Sequence, residues 1–123
     1  MAFLNDNVFD SGLAYATTNG TRLDICSTDP GGVYATVTGN TLGNKTLSTG
    51  SATNGDVDGR KVVVPAITDG SVTGTGTATH WALTDGSSVV VASGSLTSSQ
   101  AVTSGNTFTL DAIDITLRDA TSV

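Results

Sequence analysis

Glutamate is absent from this chain of 123 residues, and cysteine, histidine and tryptophan occur once each, as Cys26, His80 and Trp81. A single cysteine excludes an internal disulfide framework. One histidine and one cysteine exclude a zinc site of any familiar spacing. Without glutamate the commonest carboxylate acid–base pairings are gone, although paired aspartates remain open. Cations are scarce as well: Arg22, Lys45, Arg60, Lys61 and Arg118 stand scattered against eleven aspartates, for a net charge of −6. No basic stripe is available to neutralise phosphates or an anionic bilayer surface, so the expectation is no nucleic-acid and no membrane partner. Apolar runs are only a few residues long, too short to span a bilayer. The opening "MAFLNDNVFD" has no basic segment and carries aspartate early, unlike a secretory signal. A chain folded in a cytoplasm is expected.

Threonine, serine and glycine, by contrast, fill fifty positions. Threonine and valine, branched at Cβ, suit pleated surfaces, and aspartate favours turns and caps over helix interiors. The length fits one domain. The expected fold class is mainly β: a short N-terminal helical segment in residues 1–20, then a β-sandwich or jelly-roll-like domain in 21–123. "FLNDNVFDSGLAYATTNG" is the helical candidate, with apolar residues at three- and four-residue spacing, Asn5 or Asp6 as cap and Asn19-Gly20 as a left-handed stop.

From Thr21 onward short strands alternate with turns. "RLDIC" places Leu23 and Ile25 on one face and Asp24 and Cys26 on the other, so an outward thiol is expected. "DPGG" is a turn and "VYATVT" reads as a strand. The stretch from Gly39 to Gly59 reads as a long polar excursion that makes contact with a partner. Pro65 marks an edge strand or a bulge. "TATHWALTD" and "SVVVASG" form a hairpin around Asp85-Gly86. In "NTFTLDAIDITLRD" the alternation changes phase, which predicts a bulge or bend at Ala112-Ile113. Trp81, Leu83, Phe108, Leu110, Ile113 and Ile115 are expected to share one core, with Trp81 as its main aromatic and His80 as a polar contact on the opposite face.

Chemistry is thinly represented. Thirteen serines and eleven aspartates surround one histidine, so a Ser-His-Asp triad has no sequence signature here. "GTGTAT" lacks the third glycine of a dinucleotide loop. "NGDVDG" copies the start of a calcium loop, but Pro65 stands where the closing glutamate belongs, so an ordinary Asp/Asn/Gly turn is the default. The reading is against an enzyme, and no catalytic, metal or cofactor-binding residue is assigned.

The segments "NGTRLDICSTDP", "LGNKT" and "DGRKVVVPAITDGSVTGTGTATHWALTDGSSVVVASGSLTSSQAVTSGNTFTL" resemble a family of small β-rich structural proteins of tailed bacteriophages and prophages. The specific part runs from Asp69 to Leu110. It holds a strand of the form hydrophobic-Ala-Leu-x-Asp at Trp81 to Asp85, and a Val-x-Ser-Gly-Asn-Thr-hydrophobic run within Ala101 to Phe108. The resemblance implies a virion component assembled in the bacterial cytoplasm, foremost a capsid-decorating minor capsid or cement protein. The alternative is a tail- or fibre-associated module contacting the host surface. Partners would be the major capsid protein or tail and neck proteins, with this chain a homo-oligomer or present in a multi-copy lattice. The candidate interface comprises Phe3, Leu4, Val8 and Phe9 of the N-terminal segment and Leu42, Lys45 and Leu47 of the polar excursion. Cys26 joins them as a thiol able to form an intermolecular disulfide outside the reducing cell.

Overall fold

Residues 5–118 are described by a computed structural model. The chain opens with helix α1 (Asp6–Asn19) and strand β1 (Arg22–Cys26), then a short helix α2 (Tyr34–Asn40) running directly into β2 (Thr41–Thr46). β3 (Thr53–Asn54), β4 (Arg60–Val64) and β5 (Ile67–Val72) follow. β6 (Gly76–Thr84) and β7 (Val90–Val102) form the long hairpin, and β8 (Thr107–Leu110) and β9 (Ile113–Leu117) end it. A curled six-stranded antiparallel sheet in the order β7-β6-β1-β2-β5-β8 faces a three-stranded sheet, β3-β4-β9. The fold is mainly β and sandwich-like.

The phase change at Ala112-Ile113 is the point where the chain switches sheets, leaving β8 in the large sheet and starting β9 in the small one. Pro65 sits between β4 and β5, another crossing between the sheets, where no ladder hydrogen bond is asked of it. The interior gathers Leu23, Ile25, Leu83, Val72 and Phe108 from the large sheet against Val64 of the small one. Trp81, Leu110, Ile113 and Ile115 are half-buried against that cluster. Phe108, 2% exposed, is thus the fully buried aromatic of this cluster in place of Trp81. Its ring lies against Gly70 and Gly43, whose missing side chains make the room.

α1 begins at Asn5, whose side chain accepts from the Asn7 N–H at 2.8 Å, an N-cap that satisfies one of the free amides of the first turn. Leu13 and Ala16 pack on Val62 of β4, and Arg60 ties the same pair of elements through Asp10 at 2.9 Å. The helix ends at Gly20 with φ −80°, not the expected left-handed stop. Glycine serves a close approach there: a Cβ would lie 2.6 Å from the Ala16 carbonyl oxygen and 2.7 Å from Leu83 Cδ2.

Several expectations are corrected. "VYATVT" is helical, not extended, because α2 lays Val37 over Cys26 and Ala82 and buries all three; tertiary burial overrides the strand preference of valine and threonine. That helix covers the second face of β1, so Cys26 is fully buried and its thiol points inward, contrary to the outward reading. The polar excursion is a strand at its start. β2 pairs with β1 and β5 on both sides, which buries Leu42 and half-buries Leu47 against the interior. Phe9 is also buried, at 2% exposure. Neither Phe9 nor Leu42 is free for a partner in this fold. Lys45 is occupied by an ion pair with Asp69 at 3.0 Å. Phe3 and Leu4 lie outside the described residues.

The β6–β7 turn is organised by Asp85, whose Oδ1 accepts from the backbone N–H groups of Ser87, Ser88 and Val89 at 2.9, 2.9 and 3.0 Å. Gly86 supplies the positive φ of 77°. These amides, Val89 first, hold the Asp85 carboxyl below its ordinary range. A depressed folded pKa contributes stability above the unfolded carboxylate pKa, and that contribution is lost as pH falls through the folded one. Asp85→Ala is therefore expected to lower the melting temperature at pH 7 and to shrink the difference from the parent as pH drops below about 4. Melting curves across that range check it, and a pH-independent difference would count against the turn assignment.

Candidate functional site

A groove of about 630 Å³ lies beside Trp81. Trp81 forms its floor, β7 residues 95–98 with Gln100 form one wall, and residues 109–113, from β8 through the sheet switch, form the other. Topology explains why it is there. β7 and β8 are the two edges of the curled sheet, and the curl brings them toward each other without pairing them. A side-chain bridge crosses, from Gln100 Nε2 to the Thr109 carbonyl at 3.2 Å.

A local irregularity opens the groove further. Ala78 pairs with Gln100 and His80 with Ser95, so two steps along β6 correspond to five along β7. The extra residues form a large bulge, a device common at barrel rims and beside binding sites. The alternation of β6 also breaks at this register shift, so Ala78 and Trp81 both pack on the interior. Opposite Trp81 stands Gly94; a Cβ there would lie 3.0 Å from Cζ2 and 3.1 Å from Cε2 and Nε1. Glycine lets the indole edge settle on the strand. Among the described residues the Trp81 Nε1–H has no hydrogen-bond partner, and no buried side-chain polar atom is unsatisfied. That donor therefore opens to solvent.

His80 stands beside the groove on the other face of β6. Its Nδ1 lies 2.8 Å from Thr79 Oγ1 and its Nε2 3.4 Å from Ser95 Oγ. The Thr79 hydroxyl donates its one proton to the Ser27 carbonyl at 3.1 Å. With the Thr79 proton committed to Ser27, His80 Nδ1 is the donor in its contact with Thr79. A serine, a histidine and a third orienting group in series have the outline of an activated nucleophile. The third group here is a hydroxyl, which cannot stabilise an imidazolium as a carboxylate does. Ser95 is paired directly with His80, so its hydroxyl stands on the His80 face of the hairpin. Sequence alone paired His80 with no residue, because the Ser95 partnership depends on the bulge.

The "NGDVDG" turn directs its carboxylates at cations of the chain. Asp56 meets Lys61 at 2.7 Å, and Asp58 pairs with Arg118. Lys61 also reaches Asp114 at 3.0 Å, and these two carboxylates raise its pKa, Asp56 foremost. Among the described residues no helix is long and apolar enough to cross a membrane.

Comparison with family models, curated proteins and solved structures finds no match to this chain.

Proposed function

We propose that this chain is a bacteriophage virion structural protein that decorates the capsid through protein–protein contacts, a minor capsid or cement protein present in many copies. The observation that carries the assembly reading is one flank of α1. Phe9, Leu13 and Ala16 take the inner face, while Val8 and Tyr15, at 56% and 51% exposure, stand on the flank beside it. Gly12 falls between them by helical spacing, and Leu117 Cδ1 would lie 3.4 Å from a Cβ added there. Val8, Tyr15 and Leu117 thus form an apolar stripe that the domain's own core does not use. Exposed apolar stripes with an aromatic member suit protein interfaces. The phage assignment itself rests on the sequence resemblance.

The tail- or fibre-associated alternative is favoured by one observation, the Trp81 groove, which is open to a ligand.

The double substitution Val8→Asp with Tyr15→Asp tests the reading without touching the core. The protein is expected to keep its melting temperature while its incorporation into particles falls at least about tenfold, the scale of losing a central interface anchor. Mass spectrometry of purified particles gives the count. Absence of the parent chain from particles, or full occupancy by the variant, would overturn the proposal.

A further inference from the structure

We propose that the groove over Trp81 is a binding site for a neutral saccharide. The proposal is independent of the assembly reading. Its volume, about 630 Å³, falls in the ~300–1,000 Å³ range of small-molecule sites. The floor is an indole whose Nε1–H is free, so it offers apolar ring surface and a hydrogen-bond donor together. A pyranose ring carries the complementary pair, an apolar C–H face and a rim of hydroxyls.

The walls supply both senses of hydrogen bond. Gln100 spends one N–H on the Thr109 carbonyl and keeps its second N–H and its Oε1. Asp111, exposed on the opposite wall, pairs with no side chain among the described residues and adds carboxylate oxygens, the acceptors that bind vicinal hydroxyls best. No lysine, arginine or histidine lines the groove, and the chain carries net charge −6, so an anionic ligand is disfavoured. Three independent features, an aromatic floor, a bulge that uncovers it and polar wall groups without a cation, select a polyhydroxylated neutral ligand.

Trp81 is the sole tryptophan, so its emission reports the groove alone. The test titrates the intact protein with maltohexaose, cellohexaose and tri-N-acetylchitotriose, following indole fluorescence. At least one is expected to give a saturating change, and Asp111→Ala and Gln100→Ala are each expected to weaken it about tenfold, with unchanged melting temperature. Calorimetry on Trp81→Phe should show the same loss. Silence of all three sugars up to about 10 mM, where even a millimolar dissociation constant saturates, would overturn the proposal. So would a response equal in the parent and both wall variants. A Ser/Thr-rich uncharged decapeptide is the remaining arm: a response to it without one to the sugars assigns the open strand edges to strand addition and overturns the saccharide site.

Discussion

Replacing Gly70 by alanine is expected to destabilise the protein by about 3 kcal/mol, the upper end of what overpacking a core costs. The backbone is not the reason, since Gly70 is not among the glycines with positive φ. The cause is the ring of Phe108, directly across the β5–β8 ladder. A Cβ on residue 70 would lie 2.3 Å from both Cε1 and Cζ of that ring. The ring has nowhere to go. On β2 a Cβ added to Gly43 would meet the same ring at 3.2 Å and the Ser71 carbonyl at 2.5 Å, so the aromatic spans two glycines on neighbouring strands. Phe108→Ala alone should cost about 3–5 kcal/mol by the usual cavity argument. The diagnostic result is the pair: Gly70→Ala combined with Phe108→Leu should be less damaging than the two changes added together, because the smaller side chain vacates the contested space. Urea denaturation of the four proteins closes the cycle. Simple additivity would mean that the two residues do not meet as described.

This glycine–aromatic packing marks a limit of sequence reading. Alternation identified the strands that carry Leu83, Phe108 and Ile115, and the phase change at Ala112-Ile113 located the switch between sheets. Both signals are local, since a side chain's face depends on its immediate neighbours. Which aromatic lies deepest is not local. Phe108 is buried because glycines at 43 and 70, distant in sequence, come under it, whereas Trp81 is left half-buried by a bulge whose extra residues are on another strand. The same holds for β2. "TLGNKT" looks like loop by composition, yet it lies between two strands that satisfy its backbone on both sides, so its polar side chains did not reveal a central strand. Of the groove, the sequence named Trp81, Leu110 and Ile113, as core residues, and the bend at Ala112-Ile113. Gln100, Ser95 and Asp111 carried no signal, being ordinary members of a serine-, threonine- and aspartate-rich chain.

Cys26 is the second position where a large effect is expected, and it reverses the outward-thiol reading. In the folded protein a charged thiol reagent such as dithionitrobenzoate should react at least about a hundredfold more slowly than with the urea-unfolded chain. Two causes combine. Burial first, and then the neighbouring Asp24 carboxylate, push the thiol up from 9.0 to about 11, which lowers the reactive thiolate by about two orders of magnitude near neutral pH. The residue is also fully buried beneath Val37, so a reagent must wait for α2 to lift. An acid whose folded pKa is raised keeps its proton in the folded state while the unfolded chain has lost it. Stability should therefore fall as pH rises from about 9 to about 11, and Cys26→Ala should remove that part of the alkaline slope. Non-reducing gels of intact particles extend the argument to assembly. With α2 seated, the sulfur cannot approach a second copy to the distance a disulfide requires, so the chain is expected to migrate as a monomer. A dimer band that disappears on reduction would show that α2 is displaced in the particle, and rapid labelling of the isolated protein would show that it is already loose in solution.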